Sequence, residues 1–133
     1  CAAKRAKHVI GVEIVEQAIC DAKKNASLNK TDNAEFYAAA ADKIVPELVR
    51  ENKKIDTVIL DPPRKGADEK TLTSIAEAKP KKIVYVSCNP STLARDVKLL
   101  CGKGYVLEKA CGFDMFPNTV HVETVVSLQK QNM

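Results

Sequence analysis

The sequence predicts an α/β fold built on a mostly parallel sheet, with an antiparallel strand at its C-terminal end. Three observations carry this. Apolar runs of strand length alternate with stretches of helical periodicity along most of the 133 residues. Two of the strongest runs, residues 57–60 and 82–87, stop at turns that contain proline, Asp61-Pro62-Pro63 and Cys88-Asn89-Pro90. The last two runs, residues 105–113 and 120–128, have no helical stretch between them and so are expected to pair antiparallel.

Each element has its own signal. Val9-Ile10-Gly11-Val12-Glu13-Ile14 reads as a buried strand ending near Glu13. Residues 16–29 place Ala18, Ile19, Ala22, Ala26 and Leu28 at roughly helical spacing. Lys30-Thr31-Asp32-Asn33 makes a turn. Residues 35–38 are a weaker strand, and residues 41–51 a helix with Ile44, Leu48 and Val49 on one side. After the strand at 57–60, Asp68 caps a helix running through Ala78. After the strand at 82–87, Ser91 is expected to cap a helix through Leu100, and Gly102-Lys103-Gly104 to turn the chain. Residues 129–133 are polar and expected to fray.

Composition sets the limits. A chain of this length makes one domain and can bury about two-thirds of the surface its unfolded form exposes. Hydrophobic residues at 45% and charged residues at 29% exclude a disordered tail, collagen and a coiled coil. Aromatics at 5% without Trp require an aliphatic core. A net charge of +4 is compatible with a polyanionic partner without demanding one. The cysteines Cys1, Cys20, Cys88, Cys101 and Cys111 are odd in number, widely spaced and lack a C-x-x-C pair. Neither a zinc site nor a disulfide framework is expected, and a reducing, cytoplasmic compartment is. No apolar run approaches the roughly 18 residues of a membrane helix. The chain opens Cys1-Ala2-Ala3 and reads as a piece of a longer protein.

In sheets of this kind ligands gather beyond the carboxyl ends of the strands. Glu13 stands there, and an acidic residue at that place commonly takes hydrogen bonds from a ribose, although many surface carboxylates occupy strand ends without a role. Asp61-Pro62-Pro63-Arg64-Lys65-Gly66 is a rigid turn that can aim a carboxylate at a planar ligand, or simply a capped strand stop. Arg64 and Lys65 could contact phosphates. Cys88 lies between a strand end and a helix start, where the helix end favours a thiolate nucleophile. A lone Cys is more often a small buried hydrophobe, which is the expectation for Cys20, Cys101 and Cys111. In residues 113–123, Glu123 or His121 could act as a general base; the plainer reading is a solvated loop feeding a half-exposed strand.

Taken together, Asp61-Pro62-Pro63-Arg64-Lys65-Gly66, then Ile83-Val84-Tyr85-Val86-Ser87-Cys88-Asn89-Pro90-Ser91-Thr92, then residues 113–123 resemble the RNA uracil-5-methyltransferase family, in its order and spacing. Glu13 in Gly11-Val12-Glu13 matches too, and overall similarity is nearest the ribosomal-RNA branch. The resemblance implies a Rossmann-like class I methyltransferase sheet and methylation of carbon 5 of a uridine, in 23S rRNA rather than tRNA, with S-adenosylmethionine as cofactor. It implies Cys88 as nucleophile, Glu123 as the base for the carbon-5 proton and Glu13 on the cofactor ribose. Asp42 would lie near the adenine, Asp61 would line the site between cofactor and uracil, and Arg64 would contact substrate. No metal is implied.

Some features depart from the family pattern. Ala38-Ala39-Ala40-Ala41 stands where a Gly often precedes Asp42, and Asn118 stands where Gln or His is usual. The family's first strand and its cofactor loop have no counterpart here, and residues 1–8 read as the end of the helix that follows them. The chain is therefore expected to be the C-terminal part of the methyltransferase domain, inactive alone. Its strands ending at Glu13 and Asp61 would have exposed edges, with a distorted sheet centre or homo-oligomer contacts. Two alternatives stand beside this: a methyltransferase on another RNA or base, and a non-catalytic RNA-binding or interaction module. Cytosine-5 enzymes also use a Cys, but in a Thr-Cys context with a second Cys after Pro, which this sequence lacks.

Overall fold

The computed structural model describes residues 2–131. The chain separates into two compact units, residues 1–47 and 48–133. The physical reason lies in the strands. The two-stranded sheet β1-β2 (Val9–Glu13, Ala34–Ala38) and the four-stranded sheet β3-β4-β6-β5 (Thr57–Leu60, Lys82–Ser87, Glu123–Lys130, Tyr105–Phe113) share no hydrogen-bonded strand pair. The strands ending at Glu13 and Asp61 are not paired with each other, in line with the exposed edges and distorted centre expected there.

The first unit opens with a short 3-10 turn, Ala2–Lys4, rather than the end of an α-helix. Strand β1 (Val9–Glu13) pairs parallel with β2 (Ala34–Ala38), joined by α1 (Glu16–Leu28). Gly11 faces Phe36 across that pair, and a Cβ at Gly11 would lie 2.7 Å from the Phe36 ring, so the ring packs where only Gly leaves room. The stripe expected on α1 is narrower than its sequence suggests: Ile19 is buried, whereas Leu28 is 81% exposed. Helix α2 (Ala41–Arg50) buries Ile44, Val45 and Leu48 and leaves Val49 exposed.

In the second unit, β3 (Thr57–Leu60) runs parallel to β4 (Lys82–Ser87), and β6 (Glu123–Lys130) pairs antiparallel with both β4 and β5 (Tyr105–Phe113). Strands β3, β4 and β5 match the sequence expectation residue for residue. Strand β6 starts later than expected because Pro117, Asn118 (φ 67°) and Thr119 turn the chain first. It runs on through Gln129 and Lys130, which pair with Lys82 and Tyr105 instead of fraying; Asn132 and Met133 lie outside the described residues. Alternate residues of β4 are buried, Ile83, Tyr85 and Ser87, which is the period-two signature of a sheet covered on one face.

Helices α3 (Glu69–Glu77) and α4 (Pro90–Gly102) supply that cover with Leu72, Ile75, Ala76, Leu93 and Leu100. Each fully buried aliphatic side chain contributes about 1.5–3 kcal/mol. Asp68 caps α3 as expected, its carboxylate accepting from the Thr71 N–H at 2.8 Å. That hydrogen bond holds the Asp68 carboxyl below its ordinary range. The cap of α4 is Asn89 rather than Ser91: Asn89 accepts from the Ser91 N–H at 3.0 Å, and Pro90 takes the first helical position. Gly102 ends the helix instead of beginning a turn. Buried Tyr105, its hydroxyl donating to the Pro80 carbonyl, has its pKa pushed up to about 12 by burial.

Cys20, Cys101 and Cys111 are exposed, contrary to the expectation that they fill the core. The aliphatic side chains already fill it, and Cys111 sits on β5, where only Tyr105 is buried. No helix of the described residues is long and apolar enough to cross a membrane.

Candidate active site

Three loops meet at one end of the four-stranded sheet, and strand register places them there. Leu60 pairs with Tyr85, so Asp61 leaves β3 close to where β4 ends at Ser87. Ser87, the last residue of β4, pairs with Thr124, so Cys88 follows the end of β4 beside the start of β6 at Glu123. Glu123 in turn pairs with Phe113 on its other side. Three residues far apart in the chain thus reach one edge: Asp61 from β3, Cys88 from β4 and Glu123 from β6.

The backbone around them is tied down. The Ser87 hydroxyl is 3.1 Å from both the carbonyl and the N–H of Asn89, which closes the turn around Cys88. The Arg64 carbonyl accepts from Asn89 Nδ2 at 3.4 Å and from Thr92 Oγ1 at 3.2 Å, joining the Asp61 loop to the Cys88 turn. The Arg64 guanidinium reaches the third loop, with Nη2 2.8 Å from His121 Nδ1 and 3.1 Å from Nε2. Thr119 Oγ1 donates to the Phe116 carbonyl at 2.7 Å and accepts from the His121 N–H at 3.2 Å, shaping the approach to Glu123.

The groups suited to chemistry are left uncommitted. Among the described residues, neither the Cys88 thiol nor the Asp61 and Glu123 carboxylates take part in a hydrogen bond or ion pair, and all three are at least partly accessible. A nucleophile and a carboxylate base presented from facing strands can act on the two sides of one planar ring system.

Arg95 and Asp96 lie outside every motif singled out in the sequence. Asp96, in the middle of α4, is 1% exposed and accepts from the Tyr85 hydroxyl, from the Ala67 N–H at 2.9 Å and from Arg95 Nε at 2.8 Å. Burial, and then the bond to Asp96, raise the Tyr85 pKa and keep its proton in place. The available signal was an Asp on the apolar stripe of a helix, one turn from Leu93 and Leu100, where an unpaired carboxylate would be costly.

The first unit presents two carboxylates. Glu13 ends β1, and its Oε1 accepts from the Val15 N–H at 3.0 Å. Its other oxygen has no partner among the described residues. Asp42 lies in the first turn of α2, where a negative charge is favourable whatever else it does. Both stand at the carboxyl edge of the β1-β2 pair, the Ala39 N–H donating to the Glu13 carbonyl at 3.0 Å.

Comparison with known proteins places the chain in a family. The model of the tRNA (uracil-5-)-methyltransferase family matches residues 1–131. An RNA methyltransferase of Listeria monocytogenes is 53% identical over 128 residues, 96% of this chain. One of Fusobacterium nucleatum is 49% identical over 129 residues. The crystal structure of the Pyrococcus abyssi tRNA (uracil-54, C5)-methyltransferase, in complex with S-adenosyl-L-homocysteine, superposes with a TM-score of 0.81 at 43% identity, over 95% of this chain and 30% of that one. NSun6 from Pyrococcus horikoshii, at 16% identity and a TM-score of 0.71, shares the fold. The chain spans 28% of the length of the Listeria and Fusobacterium relatives. It belongs to the tRNA (uracil-5-)-methyltransferase family and has the Rossmann-like α/β fold of class I methyltransferases.

Proposed function

We propose that this chain carries the reacting residues of an RNA uracil-5-methyltransferase that uses S-adenosylmethionine. The observation that carries the proposal is the pairing of Ser87 with Thr124, which brings Cys88, just past β4, and Glu123, at the start of β6, to one end of the sheet with both functional groups uncommitted.

The chemistry follows from the weakness of uracil carbon 5 as a nucleophile. The target base is first splayed out of its stack. The Cys88 thiolate adds to carbon 6, forming an S–C bond and moving the double-bond electrons into an enolate that ends on the O4 oxygen. When bound, S-adenosylmethionine supplies the electrophilic methyl group that carbon 5 of this enolate takes. The Glu123 carboxylate then removes the carbon-5 proton, the carbon 5–carbon 6 double bond re-forms, and the thiolate leaves. Arg64 and Lys65, in the loop beside Cys88, suit RNA phosphates or the approaching base.

The acidic residues fit the cofactor's adenosine half. One oxygen of Glu13 is anchored by the Val15 N–H and the other is left for ribose hydroxyls. Asp42 suits the adenine end, and Asp61 the cofactor's reacting end. The chain is taken as the C-terminal part of the methyltransferase domain, acting in the cytoplasm, and residues 1–133 alone are expected to be inactive. Oligomer contacts through the free edges of β1 and β3 remain part of this reading.

For the substrate we propose 23S rRNA, on overall sequence similarity to that branch. Transfer RNA is the second reading, favoured by the tRNA activity of the structure 43% identical to this chain. The test incubates the intact protein with methyl-labelled cofactor and, separately, 23S rRNA and tRNA, then analyses the nucleosides. Labelled 5-methyluridine in either RNA supports the activity, and the RNA that carries it decides the substrate. Labelled 5-methylcytidine, or salt-sensitive RNA binding without any methyl transfer, contradicts the proposal.

A further inference from the structure

One face of α4 grips the loop that follows Asp61. Asn89, Thr92, Arg95 and Asp96 are spaced by three, three and one residues, which aligns them along one side of the helix. The backbone groups of the loop lie against them in the same order. The Arg64 carbonyl meets Asn89 and Thr92, the Lys65 and Ala67 carbonyls accept from Arg95 Nη2 at 3.0 and 3.3 Å, and the Ala67 N–H donates to Asp96 Oδ2 at 2.9 Å. Arg95 also pairs with Asp96 Oδ1 at 2.7 Å, and Tyr85 of β4 donates to Oδ2 of the same carboxylate. Gly66, at φ +81°, lets the loop close on this group; a Cβ there would lie 2.5 Å from Asp96 Oδ2 and 2.6 Å from Arg95 Nη2.

A turn that merely stops a strand needs its prolines and no more. Burying a carboxylate costs several kcal/mol unless it is paired and hydrogen-bonded, and Asp96 is held by a loop backbone N–H, a tyrosine and an arginine that itself holds two loop carbonyls. We propose that Arg95 and Asp96 are positioning residues. They lock the Asp61 loop to the helix that begins just after Cys88, so the nucleophile and the Asp61 carboxylate keep one separation through the reaction. The inference rests on the function proposed above. It concerns residues that touch no reacting atom and act through the loop.

The test measures methylation kinetics and thermal stability of the intact protein for Arg95→Ala, Arg95→Lys and Cys88→Ala. Misplacement of about 1 Å costs up to about 100-fold in rate. Arg95→Ala is therefore expected to lower kcat by about 10- to 100-fold while KM for RNA and cofactor stays near the parent value. Arg95→Lys, whose ammonium can still reach one loop carbonyl, restores part of the loss. An unchanged kcat for Arg95→Ala overturns the proposal, as does a loss that Arg95→Lys does not recover and that follows the fall in Tm. Should Arg95→Ala not fold, Thr92→Val removes the hydroxyl that lies against the Arg64 and Asn89 carbonyls; a lowered kcat at unchanged Tm then supports the proposal and an unchanged kcat overturns it. Cys88→Ala separates the two levels. If it remains active, the proposed chemistry fails; if it is inactive beside a normal Arg95→Ala, only the positioning role fails.

Discussion

Residues 1–47 and residues 48–133 both present acidic side chains at the carboxyl ends of parallel strands, but they hold them differently. In the first unit β1 has no fully buried residue, α1 buries only Ile19, and Glu13 is fixed by one bond to a backbone N–H two residues away. In the second, β4 and the two helices bury a continuous aliphatic core, and the loops carrying Asp61, Cys88 and Glu123 are tied to one another through Arg64, Asn89, Thr92 and His121. The difference matches the demands on each region. A ribose contact tolerates small displacements, whereas a thiol and a base acting on one ring need fixed geometry. Under the proposed roles, the reacting end is held by more cross-loop hydrogen bonds than the nucleotide end.

The sharpest way to break this comparison is Cys88→Ala in the intact protein. Methylation is expected to fall by at least about 1000-fold, as for other lost nucleophiles. A normal rate would place the chemistry elsewhere. Next is Glu123→Gln, which should slow turnover by about 100- to 10,000-fold and let a covalent RNA–protein species accumulate, visible as a shifted band on a denaturing gel. Slow turnover without accumulation would assign the base to another residue. Glu13→Ala should act on binding: loss of a charge-assisted hydrogen bond of about 1.5–3 kcal/mol raises KM for the cofactor by about 10- to 150-fold, with a smaller change in kcat. If kcat fell instead, the nucleotide end would be as geometrically demanding as the reacting end.

The smallest effect is at the α3 cap. Asp68→Ala should lower stability by about 1 kcal/mol at neutral pH, measured by denaturant unfolding. The folded state holds the Asp68 carboxyl below its usual value of 3.8, so its contribution is present above pH 3.8 and is lost as pH falls through the lower folded value. The gap between parent and variant should therefore close in acid. A gap independent of pH would mean that the cap works by packing alone.

Much of this was legible in the sequence. Strands β3 to β5 are bounded by Pro, Asp, Asn or Gly, which act locally, so their limits follow from chemistry within a few residues. The proposed site residues Cys88, Asp61 and Glu123 stand out in the sequence because each abuts a strand end. The α4 cap was misassigned because Asn89 and Ser91 are both good caps, and Pro90 between them decides by fitting the first helical position. The exposure of Cys20, Cys101 and Cys111 was not visible, since a thiol's burial depends on which face the helix or strand turns inward. The Arg95-Asp96 clamp escaped notice for a similar reason. Its partners are backbone groups of a loop 28–30 residues away, and no side-chain pattern marks a carbonyl as a ligand. The missing pairing between β1 and β3 was legible, because the family's first strand, which has no counterpart in this sequence, would stand between them.

The central claim is that Cys88 bonds covalently to the pyrimidine ring. The direct measurement mixes the intact protein with S-adenosylmethionine and RNA containing 5-fluorouridine, then determines the mass of the protein and maps the modified peptide. Fluorine at carbon 5 cannot leave as a proton does, so a working site traps itself. The account predicts a protein–RNA adduct attached at Cys88. An active enzyme that forms no adduct, or one attached at another residue, would contradict it.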